Sequence, residues 1–174
     1  MSNNIVLIGL PACGKSTIGK ILAEELGYDF IDTDLLIEKF SKTSIPDIFE
    51  KQGEDAFRNI ETNTINTLLY ESNNVIAIGG GAYERSENRD LLRKIGPTFY
   101  LLTPIDILLN RLKEDDNSRP LFKNSDIFAK LQELQAKRHP NFLLADYVID
   151  TNNCSIENVI NNIKRIINGK NSWC

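Results

Sequence analysis

Histidine, methionine and tryptophan occur once each among the 174 residues, and cysteine only three times. The lone histidine, His139, has no cysteine or histidine near it in the chain, which excludes a zinc-type ligand set. Cys13, Cys154 and Cys174 are odd in number, far apart and without CxxC spacing. They read as free thiols of a reducing compartment rather than as a disulfide framework. No apolar run approaches membrane-spanning length. The N-terminal MSNNIVLIGL has neither the basic start nor the apolar length of a signal segment, so a cytoplasmic location is the expectation. Positive charge is not in excess either: 20 Lys and Arg stand against 24 Asp and Glu, for a net charge of −4. That excludes a general nucleic-acid or membrane-surface binder, whereas a small anionic ligand needs only a few well-placed cations.

What the chain does have is the composition of an ordinary globular domain, 41% hydrophobic and 25% charged, at a length that suits one core and one domain over 1–174. Short apolar runs alternate with amphipathic segments. NIVLIG (4–9), YDFID (28–32), NVIAIG (74–79), PTFYLL (97–102) and DYVID (146–150) read as strands, several of them apolar at successive positions, as strands covered on both faces are. Residues 15–26, 54–71 and 156–167 carry apolar side chains at helical spacing, and Gly27 suits the C-cap of the first. The alternation predicts an α/β fold with a parallel sheet and right-handed crossovers. The polar, proline-broken stretch 113–125 reads as an exposed loop that could serve as a lid.

The chemistry begins at IGLPACGKST (8–17). Gly9 and Gly14 sit five positions apart, followed at once by Lys15, Ser16 and Thr17, between a predicted strand and a predicted helix. That context is the one a phosphate-binding loop requires. Glycines let backbone N–H groups turn inward around a phosphate, and the helix start adds positive dipole. Lys15 supplies a mobile charge for the outer phosphates. Ser16 offers a hydroxyl oxygen to Mg²⁺, with Thr17 beside it. Cys13 is read as a small residue of the loop. The loop thus predicts a nucleoside triphosphate as ligand and leaves hydrolase, switch protein and kinase open.

Ligands of open parallel sheets collect at the carboxyl ends of strands, and the other unusual residues fall there. Asp32-Thr33-Asp34 follows the second strand and Gly79-Gly80-Gly81 the third. Two carboxylates beside a phosphate loop can divide labour between Mg²⁺ and an acceptor hydroxyl, although Asp is also a common N-cap and Asp34 could simply cap the helix that follows. Arg58, with Glu61 three residues on, Arg119 in the candidate lid, and Arg138, read as ending a helix before Pro140, suggest anion handling. Carboxylates for hydroxyls and arginines for a carboxylate suggest a small hydroxy-acid acceptor.

At this point the chain resembles the shikimate kinases over nearly its whole length. The resemblance is carried by GLPACGKST, DTD, DIFEKQGEDAFRNIE (47–61), VIAIGGGA (75–82), LLNRLKEDDNSRPL (108–121), RHPNFLLAD (138–146) and IDTNNCSIENVINNI (149–163). It implies a three-layer α/β/α sandwich, a five-stranded parallel sheet of order 2-3-1-4-5 with the phosphate-loop NTPase fold, an acceptor-binding region over about 33–72 with breaks at Pro46 and Gly53, and a lid over about 113–125. It implies ATP and Mg²⁺ as cofactors and shikimate as the small-molecule partner of a monomer, with transfer of the γ-phosphoryl group to the 3-hydroxyl. By position, Gly9, Ala12, Cys13, Gly14, Lys15, Ser16 and Thr17 would hold the ATP phosphates, and Ser16 with Asp32 would hold Mg²⁺. Asp34 would contact the accepting hydroxyl, Arg58 and Arg138 the carboxylate, and Gly79, Gly80 and Gly81 the acceptor through their backbone. Arg119 would reach the transferred phosphate, while Arg111 and the loop around Asn153 would border adenine. Three departures from the family stand out: the bulkier loop interior Leu10-Pro11-Ala12-Cys13, Phe142 where a tyrosine is usual, and Phe122 where RPLL is usual. A gluconate-kinase-like enzyme and an inactive nucleotide-binding module are the rival readings.

Overall fold

The structure, a computed structural model, describes residues 3–114 and 126–169. Five strands form one parallel sheet: β1 (Ile5–Ile8), β2 (Asp29–Asp32), β3 (Asn74–Ala77), β4 (Thr98–Leu102) and β5 (Tyr147–Asp150). Their spatial order is β2-β3-β1-β4-β5, the order the resemblance implies. Register runs Leu7 against Ala77 on one side and Phe99 on the other, with Asp32 at the end of β2 beside Ala77. The all-apolar β1 is buried along its whole length, as is β3, whereas the edge strands β2 and β5, which carry aspartates, are partly exposed. Burial on both faces is why the central strands lack alternation.

Helices cover the sheet: α1 (Lys15–Leu26), α2 (Thr33–Ser41), α3 (Ile45–Thr67), α4 (Ser86–Ile95), α5 (Ile105–Glu114), α6 (Ile127–Phe142) and α7 (Ile156–Ile167). The first and last match the predicted ranges, and Gly27 closes α1 in the left-handed conformation at φ 67°. Residues 54–71 prove to be the second half of the longer α3 plus a short 3-10 turn, Leu68–Tyr70. Two further expectations are corrected. Pro46 does not break a helix; it sits in the first turn of α3, where its missing N–H has no partner to lose. Nor does α6 end at Arg138: it runs through Pro140 to Phe142, so Arg138 stands inside its last turns. Gly53 does interrupt α3, at φ 83° and ψ 173°, a region essentially reserved for glycine. Among the described residues no helix is long and apolar enough to cross a membrane.

The main core runs from β1, β3 and β4 into α1, α4 and α7. Phe142 is buried in it, its ring 5.0 Å from that of Tyr100 and 6.2 Å from that of Tyr83, so the position usual for tyrosine is used here as packing alone. A separate small cluster, Ile37, Ile48 and Phe57, lies between α2 and α3. α2 and the first half of α3 therefore meet on a small core of their own, while Ile65 of α3 belongs to the main core.

Gly19 sets the distance between α1 and the sheet. A Cβ there would lie 2.5 Å from Cε2 of Phe30 and 3.3 Å from Cδ1 of Leu7. Gly19→Ala gains helix propensity of about 1 kcal/mol, but overpacking costs about 1–3 kcal/mol. The expected net result is a loss of roughly 1 kcal/mol in urea unfolding. Unchanged or higher stability would show that Phe30 swings aside freely.

Candidate active site

β1 ends at the point where the strand order reverses, with β3 on one side and β4 on the other. Crevices form at such points. The loop from Gly9 to Gly14 occupies it. Gly9 (φ 149°) and Gly14 (φ 101°) adopt conformations that L side chains rarely take. A Cβ on Gly9 would stand 2.8 Å from Cys13 Sγ. Ala12 also has positive φ, 63°, and so carries strain of the order of 1 kcal/mol that a glycine would not. No side chain caps α1 and its first turn holds no acid, so the first amides of the helix keep their hydrogen-bonding capacity for an anion. Lys15 Nζ lies across the loop, donating to the carbonyl oxygens of Gly9 (2.9 Å) and Leu10 (3.2 Å). Arg111 Nη1 donates to the Ala12 carbonyl (3.1 Å), which ties α5 to the loop.

Asp32 joins this loop to the acceptor side. Its Oδ2 accepts from Ser16 Oγ (3.0 Å) and its Oδ1 from the Asp34 amide (3.1 Å). The N-cap of α2 is therefore Asp32, and Asp34 is left for another task than capping. Thr33 Oγ1 accepts from the Gly79 amide (2.9 Å), pinning the end of β2 to the end of β3.

The three glycines then explain themselves. A Cβ on Gly79 would fall onto Oδ1 of Asp34. One on Gly80 would stand 3.0 Å from Nη1 of Arg138, and one on Gly81 would stand 2.6 Å from Nη1 of Arg58. Each glycine thus makes room for one of the three groups expected to hold the acceptor. The reason for the triplet is close packing, not flexibility.

Arg58 is held from two sides, by Glu61 (2.9 Å) and Glu54 (3.1 Å), and its guanidinium lies 5.2 Å from the Phe57 ring centre. Burial works to lower the Arg58 pKa, but the Glu61 and Glu54 carboxylates outweigh it and raise it. Glu61 is only 1% exposed. Burial pushes its carboxyl up to about 7 against the pull of Arg58, and the nearby Asp34 charge pushes the same way. Arg138, also buried, donates from Nε to Glu84 Oε1 at 2.8 Å.

Asp34, Arg58, Glu61 and Arg138 line one cleft of about 960 Å³ that runs from the phosphate loop past Asp34 to the two arginines. Ala12, Cys13, Gly14, Lys15, Ser16, Thr17, Asp32, Gly80, Gly81 and Arg111 all border it. Gly9 and Gly79 do not border it. In the loop after β5, Thr151 and Cys154 reach the cleft, whereas the exposed Asn153 does not border it. Arg119 lies outside the described residues, and so does the expected lid over about 113–125 except for Lys113 and Glu114, which form the end of α5 rather than a loop. Sequence reasoning missed Thr33, Glu54 and Glu84. Only Glu54, four residues before Arg58, left a local signal.

A phosphate loop at a sheet switch point, facing a carboxylate and two arginines across one cleft, defines a phosphoryl-transfer enzyme for a small anionic acceptor. The family model described as shikimate kinase matches residues 11–168. A shikimate kinase of Thermodesulfovibrio yellowstonii is 40% identical over 171 residues, covering 96% of this chain and 98% of that protein. One of Geobacter sulfurreducens is 42% identical over 164 residues, covering 94% and 90%. Among solved structures, shikimate kinase from Acinetobacter baumannii in complex with shikimate superposes with a TM-score of 0.89 at 37% identity, covering 99% of this chain and 97% of that one. The chain belongs to the shikimate kinase family.

The raised Glu61 pKa has a stability consequence. Between about pH 4.5 and 7 the folded state binds the proton more tightly than the unfolded chain, so this residue's contribution is fully present below 4.5 and is lost as pH rises through 7. Glu61→Gln cannot titrate. Wild type should lose stability relative to the variant across that window in urea titrations. A difference independent of pH would contradict the buried, proton-binding carboxyl.

Proposed function

We propose that this chain transfers the γ-phosphoryl group of ATP to the 3-hydroxyl of shikimate, giving shikimate 3-phosphate and ADP. The supporting observation is the packing of Asp34, Arg138 and Arg58 on three successive glycines, in the same cleft as Lys15 and the uncapped start of α1.

In this reading the loop amides and Lys15 hold the β- and γ-phosphates, with Lys15 leaving the Gly9 and Leu10 carbonyls to do so. Ser16 Oγ and Asp32 Oδ2, 3.0 Å apart, are hard oxygen donors at the loop's mouth. That pair suits Mg²⁺, which takes one or two protein oxygens and fills the rest of its shell with phosphate and water. When bound, the ion neutralises charge on the phosphate oxygens. Arg58 and Arg138 clasp the shikimate carboxylate in fork geometry. Phe49 and Phe57, whose rings are 4.5 Å apart, give the acceptor ring an apolar wall. Asp34 accepts the hydrogen bond of the reacting hydroxyl and takes its proton as the new P–O bond forms and the bond to ADP breaks. Thr33 and Asp32 keep Asp34 in place. Arg119 takes its role, contact with the transferred phosphate, from the sequence resemblance.

The test is ADP release with Mg²⁺ and ATP, comparing shikimate, gluconate, a nucleoside monophosphate and no acceptor. Release dependent on shikimate alone is expected; release indifferent to acceptor would overturn the assignment. Lys15→Ala should lower kcat by about a hundredfold or more, and activity within a few-fold of wild type would remove the loop's role. Arg58→Ala should raise KM for shikimate while leaving KM for ATP nearly unchanged. Equal losses in both would contradict a carboxylate contact.

A further inference from the structure

Arg58 is fixed by two carboxylates of its own helix, whereas the carboxylate that pairs with Arg138 comes from elsewhere in the chain. That partner is Glu84, 54 residues earlier, on the 3-10 turn Ala82–Glu84 that follows the triple glycine. Glu84 Oε1 accepts from Arg138 Nε at 2.8 Å, and Oε2 lies 3.2 Å from Lys137 Nζ. Among the described residues no hydrogen bond engages the two Nη groups of Arg138, and Nη1 faces the backbone of Gly80. The turn beneath Glu84 is itself braced. Arg89 Nη1 donates to the carbonyls of Tyr83 and Glu84 (both 2.8 Å), and Asn88 Nδ2 donates to that of Ala82 (2.9 Å).

We infer that Glu84 is a positioning residue for acceptor binding: by holding Nε on a braced turn it presents the Nη edge of Arg138 to the shikimate carboxylate. The assignment rests on the proposed contact between Arg138 and that carboxylate. An arginine side chain has large rotamer freedom, and a guanidinium held in advance loses less of it when the ligand arrives. Glu84 also balances a cation that is 7% exposed and would otherwise be buried unpaired. Its negative charge opposes that of the substrate, so the sign of its effect is a real test. Positioning predicts weaker acceptor binding when Glu84 is removed; simple repulsion predicts tighter binding.

The experiment compares wild type, Glu84→Ala, Glu84→Gln and Arg138→Ala with two acceptors, shikimate and its carboxamide, in which the carboxylate is replaced by a neutral amide. For shikimate, Glu84→Ala should raise KM about tenfold, the loss expected for a hydrogen bond to a charged group, with kcat and KM for ATP changed by less than about threefold. Glu84→Gln keeps an acceptor for Nε and should return KM to within about threefold of wild type. With the carboxamide the difference between wild type and Glu84→Ala should largely vanish, an outcome that general loss of folding cannot produce. If Arg138→Ala leaves KM for shikimate unchanged, the carboxylate contact itself fails. If Arg138→Ala raises it while Glu84→Ala leaves it unchanged or lowers it, the positioning role fails. A Glu84→Ala penalty equal for both acceptors would also overturn it.

Discussion

One carboxylate holds the two halves of the cleft together. Asp32 ends β2 with one oxygen on Ser16, the second residue of α1, and the other on the amide of Asp34, where α2 begins. The start of α1 behind the glycine loop and the start of α2 are thereby referred to a single carboxylate at the sheet's carboxyl edge. That precision matters because in-line phosphoryl transfer depends on positioning and electrostatics more than on covalent help from the protein. Thr33 adds the second tie, from β2 to the first of the three glycines.

From this anchor the charge pattern of the acceptor side follows. Two arginines in a partly buried cleft would repel each other and be poorly solvated without compensation. Each is given carboxylates: Glu54 and Glu61 for Arg58, Glu84 for Arg138. The glycine triplet lets these groups lie directly on the backbone, so that an acceptor would meet oriented donors. The cost falls on Glu61, whose burial outweighs its arginine and leaves it with a raised pKa.

The two ends of the cleft also differ in how they are supported. The phosphate loop springs from strands buried in the main core, whereas α2 and the first half of α3 pack on the small cluster of Ile37, Ile48 and Phe57. Gly53 redirects α3 between that region and the turn that carries Arg58. A region with so small a core is held by fewer apolar contacts, and such regions open locally at lower free energy than the sheet.

The sequence by itself determined the strands, the first and last helices, the phosphate loop and the pairing of Arg58 with Glu61, because each rests on contacts a few residues apart: burial periodicity, glycine at positive φ and helical i,i+3 spacing. Where local rules competed, it left the outcome open or pointed the wrong way. Asp34 is suited to cap α2, but Asp32 caps it; the helix read as ending before Pro140 runs through it; and Pro46, read as a helix break, stands in the first turn of α3 instead. Tertiary structure decided these, and it alone revealed why three glycines occur in a row and that Glu84 holds Arg138. Those facts depend on groups brought together from α2, α3, α6 and the segment that follows β3. Their separation along the chain leaves no periodic or spacing signal, and only the closed sheet, with its helices packed on it, puts them within hydrogen-bonding distance.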